Sequence, residues 1–479
     1  MDAEPQAPQR SVTASRVGRG YWRRLLPMLT ALACLTRVPS FAHPLWNPDE
    51  GYLAVQARLL AHGGELYETV VDRKPPLVPW LYQGAFALAG SDSLVSVRLL
   101  AVLAQLLTAV LLAALARRRW GDTAGRTAGV LYLLISVGLN PEDAQAAGFE
   151  VFMLPCTAAA MWCADRGRWA AAGTAVGCAF LAKQTGGAVL LPVLWLCGAS
   201  WGGLLRVAAG AAVPVLTAAV LTDPEGFLFW TVTGSGAYAS FTGSELHVLA
   251  RALTNTAILT GACAGLLPPV VRALRTGRPG PADLWLWLAA SVGAVVLGFH
   301  FFGHYYLQLT PPLALLATAA LRVLPRAHRM RTVVTSACCC TLFLTWGLLA
   351  PRPELAHAQR LADAIAHRTA PGDRILLWGI HPETYWLSHR TPATRYLTAG
   401  FLTNYSGGRD GPRVGEKYAM EGAWSTLQRE LAAHPPRLII DDSRGKPYAP
   451  ERIRSLRRLL EGYEEVAVVD GAVLHVRAP

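Results

Sequence analysis

The chain has 479 residues, of which 52% are hydrophobic and only 16% charged, against about 25% charged in a typical soluble domain. Its charges cluster between long apolar runs, which excludes a single large soluble core and marks a polytopic membrane protein. The net charge of +12 fits basic cytoplasmic loops and gives no reason to expect nucleic acid as a partner.

In chain order, residues 1–24 read as a basic, disordered cytoplasmic tail. The apolar run that follows, beginning LLPMLTALACL, has no small-residue cleavage site and reads as an uncleaved first span. Apolar windows at roughly 25–42, 94–116, 127–140, 149–164, 169–182, 186–204, 207–222, 252–271, 283–302, 304–323 and 332–350 give about eleven transmembrane helices. With the N-terminus inside, every short basic loop lies on one side, from Arg23/Arg24 and Arg117–Arg119 to Arg322/Arg326/Arg329/Arg331, as the positive-inside rule requires. The acidic groups Asp49/Glu50, Glu142/Asp143/Glu150 and Asp223/Glu225 then lie outside. An odd number of spans also places the C-terminus outside. The nine cysteines all lie in apolar segments without CxxC spacing, so they read as small buried hydrophobes and the tail as free of disulfides.

From about 351 the composition changes to mixed charge and alternating patterns. RILLWGI (374–380) and PRLIIDD (436–442) read as buried strands. Segments 355–368, 421–433 and 451–461 read as helices, and 466–477 as a hairpin around Asp470-Gly471. Residues 351–479 therefore form a small extracytoplasmic α/β domain. It has no phosphate-binding glycine loop and no triad spacing, and reads as a scaffold or acceptor-docking unit.

Two outer loops are long, 43–93 and 223–251, and can hold polar chemistry at the membrane surface. The first contains NPDEGYLA (47–54), with Asp49 and Glu50 beside a span, and then Arg73-Lys74 before a Pro75-Pro76 break. The first 350 residues contain only two lysines, Lys74 and Lys183, and both map to the outer face. A cation kept against the positive-inside bias suggests an anion to hold, with a snorkelling side chain as the plainer alternative. Glu150 opens a span and is expected to face a cavity rather than lipid. In HFFGHYYLQLTPP (300–312), His300 and His304 share a helical face if the stretch is helical. Without an HExxH pattern they favour contact with a phosphate or carboxylate over a metal, with an aromatic-rich membrane interface as the alternative.

Carboxylates, cations and histidines gathered at one membrane face suit an amphiphile with a lipid tail and an anionic head. Lys and Arg hold its phosphate, and a carboxylate takes the proton of an acceptor hydroxyl that attacks the sugar carbon. At these residues the chain resembles the bacterial GT-C-fold membrane glycosyltransferases of the dolichyl-phosphate-mannose–protein mannosyltransferase type, and is similar in layout to the aminoarabinose transferase acting on lipid A. The resemblance covers roughly 20–350. It is carried by NPDEGYLA with DRKPPLVPWLY (72–82), by GFEVFMLP (148–155) with FLAKQTGG (180–187), and by HYYLQLTPPLALL (304–316).

The resemblance implies a GT-C-like, all-α membrane domain at 25–350 and an inverting transferase. The donor it implies is a polyprenyl-phosphate sugar, with mannose the default. It assigns Asp49, Glu50 and Glu150 to the catalytic group, with Asp49 the base. Arg73, Lys74, Lys183, His304 and Tyr305 are assigned to the donor phosphate, although relatives are expected to carry an arginine near the position of His304. Members differ in their use of a divalent metal, and Asp49 and Glu150 would be its ligands. The implied partners are the membrane, the lipid donor, and a glycan, protein, lipid or small-molecule acceptor. A transporter or flippase of a similar amphiphile is the alternative reading, but it predicts ionisable residues near the bilayer midplane and repeated halves. Neither is visible in the sequence.

Overall fold

The computed structural model describes residues 10–236, 245–405, 407 and 413–478. The expectations for residues 1–9, and for 237–244 within the second outer loop, lie outside them. Among the described residues, three helical segments are long and apolar enough to cross a membrane: Leu94–Trp120, Trp201–Leu221 and Arg326–Ala366. A fourth is added if Glu245–Ala262 and Leu267–Arg275, bent by 88° at their junction, act as one span.

The eleven expected spans are therefore not all found as helices of spanning length. Several apolar windows fall on shorter helices, Phe149–Ala164, Trp169–Ala182, Gln184–Cys197 and Ala282–Val296 among them. The 14 residues of Trp169–Ala182 rise only about 21 Å, short of the ~30 Å hydrocarbon core. Breaks in the chain set these lengths. Lys183, for example, is extended (φ −160°, ψ 137°) and ends one helix before a 3₁₀ turn at Gln184–Val189.

Two stretches that read as a tail and a loop carry helices. The basic N-terminal segment is helical from Arg10, continuous with the first apolar run to Thr36, and no proline interrupts it before Pro27. The stretch 43–93 holds two helices, Pro48–Ala61 and Leu77–Ala89. The first starts at Pro48, and the second starts at Leu77 after Pro76, with Pro79 in its first turn; prolines are tolerated there because those N–H positions have no intrahelical partner.

Helices Trp169–Ala182 and Trp201–Leu221 pack backbone to backbone. A Cβ on Gly173 would lie 2.1 Å from the carbonyl oxygen of Val207, and one on Gly210 would lie 2.1 Å from that of Ala170. Small residues at such crossings are the usual device where lipid offers no hydrophobic drive to association. Among the described residues of this helical part, the buried charged side chains include Glu50, Arg98, Glu150 and Lys183, beside Arg37 and Asp283.

Beyond residue 351, five strands form one sheet among the described residues, in the order β2-β1-β3-β5-β4. They are β1 (Arg374–Trp378), β2 (Thr391–Pro392), β3 (Leu438–Asp441), β4 (Tyr463–Val469) and β5 (Ala472–Arg477). β1 runs parallel to β2 and β3, while β5 is antiparallel to both β3 and β4. The β4–β5 turn places Asp470 and Gly471 at φ 48° and 85°, the left-handed pair that a tight hairpin needs. All nine cysteines are free.

This unit is seated on the helix that begins at Asn47-Pro48-Asp49-Glu50. A Cβ on Gly51 would come within 2.4 Å of the Glu383 Cβ, so only glycine permits the contact. Farther along the helix, Arg58 binds Asp92 at 2.6 Å and reaches the carbonyl of Trp386 at 3.2 Å.

Candidate active site

The Pro48–Ala61 helix begins at Asn47, whose side chain accepts from Glu50 N at 2.9 Å, and it carries Asp49 and Glu50 in its first turn. Acidic residues there complement the positive end of the helix dipole. The Asn47 side-chain amide also donates to the carbonyl of Glu142 at 3.0 Å, which joins this helix end to the loop at 140–148.

The two carboxylates meet different surroundings. Glu50 is fully buried, and its oxygens accept from four donors. Oε1 takes Arg98 Nε at 3.0 Å and Ala147 N at 3.2 Å, and Oε2 takes Arg98 Nη2 at 2.8 Å and Trp46 N at 2.9 Å. Arg98, 3% exposed, also binds the carbonyls of His43 and Pro44. Glu50 therefore fastens the 43–50 segment to the Leu94–Trp120 helix. Asp49 keeps 48% of its side chain exposed and faces His304 Nε2 at 3.7 Å. It alone of the pair is open to an incoming group.

Glu150 opens the Phe149–Ala164 helix, where it is buried and paired with Lys183 Nζ. The same ammonium lies 3.7 Å from the centre of the Tyr305 ring. Lys183 also lies within electrostatic reach of Lys74 and Asp49. His304 Nδ1 donates to Asp143 Oδ1 at 2.7 Å, and Nε2 faces Asp49, so both ring nitrogens face carboxylates. The resting geometry thus gives His304 two anionic neighbours where a donor phosphate was expected. Nor do His300 and His304 share a helical face. Helical structure begins only at Gly303, and the two rings instead each stack on Phe302, with centroids 5.7 Å from it.

The loop at 70–76 carries Asp72, Arg73 and Lys74. Burial pushes the Asp72 carboxyl up to about 6, with the Lys74 charge opposing the rise and the Asp49 charge adding to it. The folded state thus holds this proton more tightly than the unfolded chain. Its contribution to stability is complete below the ordinary value of 3.8 and is lost as pH rises through about 6. Asp72→Asn should therefore gain melting temperature relative to the parent as pH is raised from 5 to 8, with little difference at pH 4. A thermal-shift series in detergent reads this directly.

Arg73 is held from the C-terminal unit. Its guanidinium lies 4.4 Å from the Tyr405 ring centre and 5.1 Å from that of Phe401. Its carbonyl accepts from Gln184 Nε2 at 2.6 Å, and the Tyr405 hydroxyl donates to the carbonyl of Gly234 at 3.0 Å. The segment 401–405 therefore orders the cationic loop. A cation–aromatic contact of this kind is worth about 0.5–2 kcal/mol.

The structure brings Asp49, Glu150, Lys74, Lys183, His304 and Tyr305 into one neighbourhood, with Arg73 at its edge beneath the C-terminal unit. A divalent cation held by Asp49 and Glu150 does not fit. Glu150 is closed off by Lys183, and Asp49 faces His304. Among the described residues no three His, Cys, Asp or Glu side chains are grouped to hold a metal ion.

Arg98, Asp72 and the partner role of Asp143 were not foreseen. Arg98 had a signal, since an ionisable residue inside the apolar run LVSVRLLAVL demands an inward-facing partner.

Residues 73–221 match the model of the family described as dolichyl-phosphate-mannose-protein mannosyltransferase. Among solved structures, the chain is similar to ArnT from Cupriavidus metallidurans bound to undecaprenyl phosphate. The TM-score is 0.60 at 17% identity, covering 94% of this chain and 97% of that one. The apo state of the same protein gives 0.59 at 17% identity, covering 96% and 98%. The apo form of the Archaeoglobus fulgidus oligosaccharyltransferase gives 0.50 at 13% identity, covering 93% of this chain and 73% of that one. No curated protein sequence matches. These likenesses establish a GT-C fold.

Proposed function

We propose that this GT-C-fold chain is an inverting membrane glycosyltransferase that moves a sugar, mannose by default, from a polyprenyl-phosphate donor to an acceptor hydroxyl. In this reading the reaction takes place at the outer face of the plasma membrane, with the N-terminus cytoplasmic and the C-terminal unit outside. The observation that carries the proposal is the division between neighbouring carboxylates. Glu50 has its oxygens filled by four donors, while Asp49 is half-exposed, faces His304, and lies within electrostatic reach of Lys183, as Lys74 does. The undecaprenyl phosphate in the ArnT crystal structure supports a lipid-phosphate donor.

In the reaction, Asp49 takes the proton of the acceptor hydroxyl as that oxygen forms its bond to the anomeric carbon. The bond from that carbon to the phosphate oxygen breaks, and the electron pair leaves with polyprenyl phosphate. The leaving group is already anionic, so it needs charge stabilisation more than protonation, which Arg73, Lys74 and Lys183 supply. Glu150 holds Lys183 in place, and Tyr305 flanks its ammonium.

Because Tyr405 and Phe401 order Arg73, Tyr405→Ala should raise the KM for the lipid donor about 2–30-fold, the equivalent of ~0.5–2 kcal/mol. Its kcat should stay near the parent value in a steady-state assay on membranes. Mass spectrometry of lipid extracts tests the wider reading. A strain lacking this protein should accumulate one polyprenyl-phosphate sugar, whose mass names the donor. Unchanged lipid-linked sugars together with unchanged surface glycans would contradict the assignment.

A further inference from the structure

We propose that Asp143 and His304 act as a positioning pair for Asp49: Asp143 fixes the imidazole, and the imidazole holds the Asp49 carboxylate in its proton-accepting orientation. The inference rests on the reading of Asp49 as the base and adds two residues that act through it. Three separate elements bring the groups together. Asp49 comes from the Pro48–Ala61 helix, Asp143 from the short Pro141–Gln145 helix, and His304 from the Gly303–Leu309 turn.

The chain goes to some length to make this contact. Phe299 and Phe301 hold φ of 54° and 49°, a left-handed conformation that costs bulky residues of order 1–3 kcal/mol each and tends to gather at functional sites. The segment is pinned in that shape from the Glu245–Ala262 helix. Asn255 Nδ2 donates to the carbonyl of Phe301 at 2.9 Å, and Arg251 donates to that of His300 at 3.1 Å.

Gly303 then passes so close to Asp143 that a Cβ there would lie 2.2 Å from Oδ2 and 2.8 Å from Cγ. Only glycine leaves room for the carboxylate to meet Nδ1 at 2.7 Å. The Glu150–Lys183 pair lies near enough that both of its charges act on the ring. The 3.7 Å separation between Nε2 and Asp49 is of the kind that tightens when substrate binds. An acid–imidazole–acid chain therefore stands where the base must be held without being saturated, as Glu50 is.

The test uses full-length protein in membranes with a lipid donor, reading kcat and donor KM separately. His304→Gln should lower kcat at least about tenfold, but less than the ~10²–10⁴ expected at the base itself, with donor KM within about twofold of the parent. Gly303→Ala, which removes no charged or titratable group, should reproduce that kcat loss by displacing Asp143. Asp143→Asn, which still offers an oxygen to Nδ1, should recover much of the kcat that Asp143→Ala loses.

A raised donor KM with unchanged kcat in His304→Gln would overturn the inference and place the ring on the phosphate. Parent-like kcat in Gly303→Ala would overturn it as well. If Asp49→Asn itself retains transfer, the reading of the base fails first, and that outcome is distinguishable from either of these.

Discussion

Asp49→Asn should lower transfer from a polyprenyl-phosphate sugar by about 10²–10⁴-fold, the span of a lost general base, while the protein still inserts and binds its lipid donor. The amide is nearly isosteric with the carboxylate. It keeps the helix start capped by Asn47, and with half of the side chain exposed it disturbs little packing. What it removes, on the proposed mechanism, is the proton acceptor. The loss should therefore fall on kcat, with donor KM near the parent value, because interactions made only in the transition state lower kcat and kcat/KM together. Steady-state kinetics on reconstituted variant and parent measures the split. A Glu50→Gln variant that folds normally yet loses transfer to the same degree, beside an active Asp49→Asn, would exchange the two assignments.

The second large effect concerns stability. Arg98→Ala or Glu50→Ala leaves one buried charge without its partner and should destabilise the fold by about 3–5 kcal/mol, the usual cost of breaking such a pair. The cost is expected at the high end because each partner also fastens backbone. Glu50 receives Trp46 N and Ala147 N, and Arg98 binds the carbonyls of His43 and Pro44. A double change, Glu50→Leu with Arg98→Met, removes both charges together and should recover part of the loss. Melting temperatures and inactivation half-lives in detergent compare the three. Single variants as stable as the parent would mean that the pair does not fasten the 43–50 segment.

Much of this could be read from local pattern. The strands around 374–378 and 438–441 and the Asp470-Gly471 hairpin followed from short-range signals, and the scarcity of lysine picked out Lys74 and Lys183. What depended on distant partners was less legible. Glu50 could not be told from Asp49 until Arg98 was seen against it. The clasp of Phe401 and Tyr405 on Arg73 joins segments far apart in the chain. The geometry of His304 turned on two left-handed phenylalanines and one close glycine contact, where the i, i+4 spacing would place the two histidines on one face only in a helix. Helix lengths within the apolar windows were less legible for a simpler reason. Apolar composition marks a window as buried or lipid-facing, but the breaks at Lys183 and at the 88° bend between Glu245–Ala262 and Leu267–Arg275 decide how long each helix runs.

The central claim is that this membrane face breaks a sugar–phosphate bond. Its most direct test is purified protein in liposomes with a radiolabelled polyprenyl-phosphate sugar and an acceptor mixture from the cell envelope. The account predicts one free polyprenyl phosphate released for each sugar joined to an acceptor, with inverted anomeric configuration and with both products absent in Asp49→Asn. Movement of intact lipid-linked sugar across the bilayer, with no polyprenyl phosphate released, would contradict it and leave a transporter.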